Sequence, residues 1–125
     1  ANCNTNIPTL SATDFLELLP TNNSIVIEIL ECEYLQNYNF ATMKLVFDEV
    51  INEINKYDQK VGISYADNTL DNVNFRWINS FESIDSRKSF VELWQSSVIG
   101  KEIQAQLLEQ SKCRGSEIYA AYKVL

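Results

Sequence analysis

The run from Val73 to Trp94 constrains the fold most, because it joins a segment with the period of a strand to a segment with the period of a helix. In the first half, apolar Val73, Phe75 and Trp77 alternate with mostly polar residues, as expected for a strand with one buried face. In the second half, apolar residues recur at intervals of three and four, and Ser83 stands where it can cap the helix. The run therefore predicts a strand that passes directly into an amphipathic helix.

The remaining sequence predicts the other elements of a small α+β domain. Residues 25–32 are rich in β-branched side chains, which favours a largely buried strand, and residues 40–57 carry one apolar helical face with Asn39 as its cap. A further helical segment at residues 103–108 is expected to end at Gly115. The main predicted elements are strand 25–32, helix 40–57, strand 61–66, strand 73–81, helix 84–94 and strand 118–124.

This order of elements is the βαββαβ order of a ferredoxin-like fold, an antiparallel sheet with helices on one face and the first strand between the third and fourth. Apolar residues on both faces of the predicted strands indicate that a second subunit covers the other face. Because a single core normally holds up to about 200 residues, residues 24–125 are expected to form one domain. Residues 1–23, rich in Asn and Thr, are expected to be an N-terminal extension.

The charge balance excludes nucleic acid as an expected partner. The chain has 17 acidic and 10 basic residues, a net charge of -7, and no Lys/Arg cluster that would reverse this sign locally. Its apolar runs are far shorter than the roughly 20 residues that span a bilayer. No membrane anchor or intact signal peptide is visible, so we expect no membrane partner; the compartment stays open, with the cytoplasm only weakly favoured.

Histidine is absent from the chain, which removes several kinds of chemistry at once. Ser/His/Asp and Cys/His nucleophilic systems, histidine-ligated haem and most catalytic zinc sites all need an imidazole. The three cysteines, Cys3, Cys32 and Cys113, form no CxxC pair, and at least one must stay unpaired. We expect free thiols, with Cys32 as a small buried strand residue, and neither a metal nor a cofactor.

With these elements in place, the sequence resembles the dimeric α/β-barrel superfamily, which includes antibiotic biosynthesis monooxygenase-like and NIPSNAP-like proteins. Trp77 and residues 81–87 resemble the family's aromatic strand end, serine cap and helix-opening arginine, and Trp94 resembles its tryptophan near the end of that helix. The resemblance implies a homodimer whose two sheets pack into a barrel, with a pocket between sheet and helices in each subunit. Members oxidise, isomerise or bind small molecules that are often aromatic.

The resemblance also implies what chemistry the pocket would hold. Haem-degrading relatives use a histidine in the pocket region, and this chain has none. Quinone-forming monooxygenases need no metal or flavin, because the substrate itself activates oxygen while Asn, Trp, Tyr or Arg side chains position it. Asn79, Trp77, Arg76 and several tyrosines match those residue types here.

Three residues are candidates for a catalytic role: Glu28, Asn79 and Arg76. Glu28 interrupts an apolar run, and a buried carboxylate is suited to proton abstraction. Alternatively, Glu28 is structural: it either pairs with Arg76, the expected partner because the first and third strands should be neighbours, or is exposed at the dimer rim. Asn79 is polar on an apolar face, which fits either a hydrogen bond at the strand end or a contact with a ligand.

Phe75, Trp77 and Tyr122 are the candidates for substrate binding. Phe75 and Trp77 share the inward face with Asn79 and either line a cavity or fill the core. Tyr119 and Tyr122 point to opposite faces of their strand, so at most one of them enters a given pocket.

Charged residues on the predicted helices are expected to be structural. Arg87, in the first turn of its helix, is expected to pair with Asp85 or Glu82. Three acids of the preceding helix are expected to form a solvated face rather than a metal site: Asp48, Glu49 and Glu53.

Two functions from different classes follow, and a third stays open. The first is a cofactor-independent oxygenase or isomerase acting on an aromatic or polycyclic compound. The second is a non-catalytic small-molecule-binding or stress-response module of the same fold, and the third is a structural or adaptor protein with an acidic surface. A closed cavity in which Glu28, Asn79 or Arg76 converge unpaired favours an enzyme, whereas a filled core favours a binding or structural role.

Overall fold

A computed structural model describes residues 24–124, and the predicted N-terminal extension over residues 1–23 lies outside them. The described residues form an α+β domain with one four-stranded sheet and three helices. The elements are β1 (Ser24–Tyr34), α1 (Phe40–Ile54), β2 (Val61–Asp67), β3 (Asn74–Phe81), α2 (Ile84–Ser96), α3 (Val98–Gln110) and β4 (Ser111–Tyr122). No helix within this part of the chain is long and apolar enough to cross a membrane.

The sheet has the strand order β2-β3-β1-β4, and each neighbouring pair of strands is antiparallel. The first strand therefore lies between the third and the fourth, as predicted, and the topology is compatible with a ferredoxin-like fold. The β2–β3 hairpin is also as predicted, and α3 confirms the further helical segment expected at residues 103–108, although it begins earlier, at Val98.

Two predicted helix caps are confirmed. The Asn39 side chain accepts a hydrogen bond from the backbone N–H of Thr42, and the Thr42 hydroxyl oxygen accepts one from the backbone N–H of Asn39. The two bonds make a capping box. Ser83 accepts a hydrogen bond from the Ser86 amide at 3.0 Å. Since β3 ends at Phe81 and α2 begins at Ile84, only Glu82 and Ser83 separate them. The strand passes into the helix as the sequence predicts.

Strand alternation decides which side chains the helices cover. Phe75 and Phe81 on β3 belong to the buried core under the helices, which assigns the odd-numbered residues of β3 to that face. The register places Glu28 opposite Asn79, so the even-numbered residues of β1 lie on the same helix-covered face as the odd-numbered residues of β3. The buried core residues on the helix side are Cys32, Tyr34, Met43, Val46, Val50, Ile54, Val61, Phe75, Phe81 and Ile103.

The boundary between the last helix and the last strand differs from the prediction. α3 ends at Gln110 and β4 begins at Ser111, so the helix does not extend to Gly115. Gly115 lies inside β4 with a φ of 39°, where the pairing with β1 shifts between Leu30 and Glu31. A glycine with positive φ suits a strand bulge as well as a helix end, and the sequence pattern does not distinguish the two.

The expectation of free thiols is wrong for two of the cysteines. Cys32 on β1 and Cys113 on β4 are register partners and form a disulfide. They lie 81 residues apart in sequence, so the pairing depends on strand register and not on a local motif.

Glu53 is buried, unlike the other two acids expected to form a solvated face of α1. Its carboxylate accepts hydrogen bonds from Ser97 Oγ and Tyr57 Oη, both at 2.6 Å, and from Lys56 Nζ at 3.2 Å. Burial acts to raise the pKa of Glu53, but these donors outweigh it and hold the pKa below its usual value. Because Ser97 also caps α3, the contact ties the end of α1 to the start of α3.

Candidate functional site

A row of hydrogen bonds crosses the helix-covered face of the sheet. Trp77 Nε1 donates to Asn79 Oδ1 at 2.7 Å, and Asn79 Nδ2 donates to Glu28 Oε1 at 3.3 Å. Arg87 Nη2 donates to the other carboxylate oxygen, Glu28 Oε2, at 2.7 Å. We call these four residues the polar chain. It places a carboxylate, a guanidinium and an amide beside an indole at the edge of an apolar core.

Strand register and a short connection bring the polar chain together. Glu28 and Asn79 are direct partners in the β1–β3 ladder, and Trp77 lies two residues before Asn79 on the same face. Arg87 stands in the first turn of α2, which begins three residues after β3 ends and so lies close to the same end of the sheet.

The expected ion pair between Glu28 and Arg76 is wrong. Arg76 lies on the opposite face of the sheet, where its Nε donates to Glu31 at 2.7 Å. Alternation separates Arg76 from the side of β3 that carries Asn79, and Glu28 is on the Asn79 side. Arg87 is therefore the partner of Glu28; it pairs with a carboxylate, as expected, but with Glu28 rather than with Asp85 or Glu82.

Burial makes the Glu28–Arg87 pair different from an ordinary surface pair. The Glu28 side chain is 10% exposed and that of Arg87 27% exposed, whereas Arg76 and Glu31 are 61% and 43% exposed. A charged pair shielded from water interacts more strongly, and both Glu28 oxygens are occupied by donors. The Nε of Arg87 is buried and has no hydrogen-bond partner among residues 24–124.

A half-open apolar pocket of about 120 Å³, which we call the cavity, lies beside the polar chain, between α1 and the β2–β3 half of the sheet. Trp77 belongs to both, because its ring lines the cavity while its N–H points to Asn79. The lining residues are Phe47, Val50, Ile51, Ile63, Tyr65 and Trp77. No carboxylate, amide or cation lines this space, so the cavity suits an apolar group.

Stacked aromatic rings support the wall of the cavity. The Tyr65 ring stacks on Phe75 with ring centroids 4.7 Å apart, and the Tyr34 ring lies 4.6 Å from that of Phe75, tilted by 31°. The hydroxyls of Tyr34 and Tyr65 are hydrogen-bonded to each other, and Tyr34 Oη donates to Asp67 Oδ1 at 2.8 Å. Burial, together with the nearby Asp67 charge, raises the pKa of Tyr34 to about 12.

The structure brings together three of the six predicted site residues: Glu28, Asn79 and Trp77. Phe75 is 3% exposed and lies beneath Tyr65 rather than in the cavity lining, and Arg76 is on the other face. Tyr122 is 60% exposed on β4, opposite Ser24.

Arg87 and the cavity walls other than Trp77 carry no signal in the sequence that marks them as site residues. Phe47, Val50 and Ile51 fall on the apolar face of the helix predicted over residues 40–57, and Ile63 and Tyr65 fall in a predicted strand. The pattern indicates that these side chains face the core, but a void among them depends on how the helix sits on the sheet. The periodicity of the sequence does not predict the distance between the helix and the sheet.

Among residues 24–124 no group of three or more His, Cys, Asp or Glu is placed to hold a metal ion. No family model matches the chain, and neither a curated protein nor a solved structure matches it. The site defined by geometry is therefore a small apolar cavity next to a paired carboxylate and guanidinium. The polar chain orients the Trp77 indole that forms one wall of this cavity.

Proposed function

We propose that the chain is a non-catalytic small-molecule-binding domain whose ligand occupies the apolar cavity beside Trp77. One observation carries the proposal: the cavity has apolar walls, while the Glu28 carboxylate and the Asn79 amide are engaged with protein partners. A general base must have a free oxygen within reach of the proton it removes. Both Glu28 oxygens accept hydrogen bonds from the protein, which favours binding over proton abstraction.

The size of the cavity limits the ligand. Its volume is about 120 Å³, below the roughly 300–1,000 Å³ of ordinary ligand pockets. An enclosed engineered cavity of about 150 Å³ holds benzene, and this space is slightly smaller but open to solvent on one side, so a ring can extend beyond its mouth. The ligand that fits is therefore a single aromatic ring or a branched alkyl group, and a polycyclic compound would require α1 to move away from the sheet.

A cofactor-independent oxygenase or isomerase is the second candidate, supported by the position of Trp77. Its ring lines the cavity and its N–H begins the polar chain, so a bound ring would lie close to Asn79 and Glu28. The resemblance to the dimeric α/β-barrel superfamily supports the same candidate.

A two-part experiment separates the candidates. Titration with toluene and with phenol, followed by ¹H–¹⁵N NMR, should shift the indole N–H signal of Trp77 and leave that of Trp94 in place. An oxygen electrode with methylhydroquinone should record no uptake above the background rate. Unchanged signals from Trp77 would overturn the binding proposal, and enzyme-dependent oxygen uptake would replace it with the oxygenase.

The proposal includes a homodimer of the dimeric α/β-barrel type, formed through the sheet face away from the helices. Ile27, Ile29 and Ile78 lie half-buried on this face, and Tyr119 is 46% exposed. A groove of about 490 Å³ runs along it, with Ile29 and Tyr119 in the lining beside the charged pair of Arg76 and Glu31. An apolar centre with charges of both signs at its edge suits a self-complementary interface.

Sedimentation velocity tests the dimer directly. We expect a species of twice the 14.4 kDa chain mass at micromolar concentration. Ile29→Lys should convert it to a monomer, whereas Ile118→Lys, a matched change on the helix side of β4, should not. A monomeric unsubstituted chain would contradict the barrel.

A further inference from the structure

We propose that the Cys32–Cys113 disulfide is a redox-sensitive switch that controls how firmly the first residues of β4 are held on the sheet. The proposal does not depend on the ligand proposed above. It follows from how β4 is attached, where the two sulfur atoms lie, and what remains when the bond is reduced.

The β1–β4 ladder consists of two unequal blocks. The long block pairs Ser24–Leu30 with Ser116–Tyr122, and the short block pairs Glu31–Tyr34 with Ser111–Arg114. The bulge at Gly115 separates them. β4 is an edge strand, so the short block has β1 as its only strand neighbour in residues 24–124. The disulfide lies within this block.

The short block has few other attachments. Ser111 is buried and its hydroxyl donates to the Leu107 carbonyl, but Lys112, Cys113 and Arg114 are all exposed. Few side-chain contacts therefore hold these residues against the core, and locally weak segments open without global unfolding. The covalent bond to β1 is the strongest restraint on the block.

The two cysteines differ in exposure. Cys113 is exposed, whereas Cys32 is 5% exposed and packs with Tyr34, Met43 and Phe75. A thiolate reductant therefore attacks the Sγ of Cys113, which forms a mixed disulfide there and releases Cys32 as a thiolate that takes up a proton. A second thiol then attacks the mixed disulfide and releases Cys113. Two reductant thiols are oxidised to one disulfide, and both cysteines end as thiols.

Reduction should loosen the short block and leave the rest of the domain in place. The long block keeps its own ladder, and the core under α1 does not include Cys113. Cys32 remains a small apolar residue in its buried position, which suits a free thiol.

Hydrogen–deuterium exchange of the full chain, with and without dithiothreitol, tests the switch. We expect amides of residues 112–115 to exchange about tenfold faster after reduction, while amides of α1 keep their rates. Cys113→Ser should exchange at the fast rate without reductant. Cys3→Ser, which leaves the disulfide intact, should behave as the unsubstituted chain and respond to dithiothreitol.

Three outcomes would overturn the proposal. Unchanged exchange at residues 112–115, with two new thiols counted by a thiol reagent, would show that the ladder holds the block unaided. Equal acceleration in α1 and β4 would identify the bond as a general structural one. Failure of 10 mM dithiothreitol to produce the two thiols in the folded chain would show that the bond is not accessible.

Discussion

Arg87 on α2 and Glu28 on β1 lie 59 residues apart in sequence and share a 2.7 Å hydrogen bond between guanidinium and carboxylate. α2 contains no buried residue, so it depends on half-buried contacts and on this pair for its position on the sheet. Glu28 also accepts a hydrogen bond from the Asn79 side chain, and Asn79 accepts one from the Trp77 indole N–H. The pair therefore links the placement of a helix to the wall of the cavity.

Breaking the pair from one side should destabilise the domain. Arg87→Met leaves the buried Glu28 charge without its cation, and we expect a loss of about 1–3 kcal/mol in the free energy of unfolding, because Arg87 retains some exposure. The double change Glu28→Met and Arg87→Met should recover part of this loss. Arg76→Met, which removes an exposed pair, should cost less than about 1 kcal/mol. Urea unfolding measures all three, and equal losses for Arg87→Met and Arg76→Met would contradict this account.

The close approach of α2 and α3 should depend on Gly100. A Cβ at this position would lie 2.6 Å from the Trp94 carbonyl oxygen, a backbone atom that cannot rotate away. Gly100→Ala should therefore destabilise the domain by about 1–3 kcal/mol in urea unfolding. Gly115→Ala is the comparison, because open space surrounds Gly115 and only its positive φ of 39° opposes a side chain. Its expected cost is about 1 kcal/mol, and a larger cost at Gly115 than at Gly100 would argue against the crowding.

Glu53 should make stability depend on pH on the acid side. The pKa of Glu53 is below its usual value in the folded chain, so its contribution is fully present above the unfolded pKa and is lost as the pH falls through the folded pKa. Glu53→Gln should remove part of this slope and cost about 1–3 kcal/mol at pH 7. Urea midpoints between pH 3 and pH 7 give the comparison. A slope that is the same in both proteins would assign the acid sensitivity to other carboxylates.

The contribution of Tyr34 and Tyr57 to the free energy of unfolding should fall as the solution becomes alkaline. Burial comes first among the causes that raise the pKa of each to about 12, followed for Tyr57 by its hydrogen bond to Glu53. A raised folded pKa gives stability that is fully present below the unfolded value near 10 and is lost as the pH rises from about 10 to 12. Tyr34→Phe should flatten this decline in thermal unfolding scans. An unchanged decline would mean that Tyr34 ionises normally.

Local signals in the sequence predicted the elements more accurately than the contacts between them. Asn39 and Ser83 cap helices where their side-chain chemistry predicts, and the alternation from Phe75 to Phe81 correctly assigns the faces of β3. These features depend on residues close in sequence. A helix cap or the period of a strand does not predict which distant residue a side chain contacts.

Partners distant in sequence were predicted less well. Glu28 has Arg87 rather than Arg76 as its partner, because pairing depends on which face of each strand a side chain occupies and on where α2 lies. The Cys32–Cys113 bond depends on the β1–β4 register, which a bulge at Gly115 shifts. The cavity depends on the distance between α1 and the sheet, so the sequence predicted its aromatic wall at Trp77 but not its volume.

A matched pair of substitutions on α1 tests the binding proposal most directly. Ile51 lines the cavity, whereas Leu45 is 78% exposed on the same helix, so Ile51→Phe should fill the space and Leu45→Phe should not. Toluene titration followed at the Trp77 indole N–H should give a Kd of about 0.1–1 mM for the unsubstituted chain. We predict that Leu45→Phe keeps this affinity and that Ile51→Phe, still cooperatively folded, weakens it at least about tenfold. Equal affinity in the two variants would contradict the cavity beside Trp77 as the binding site.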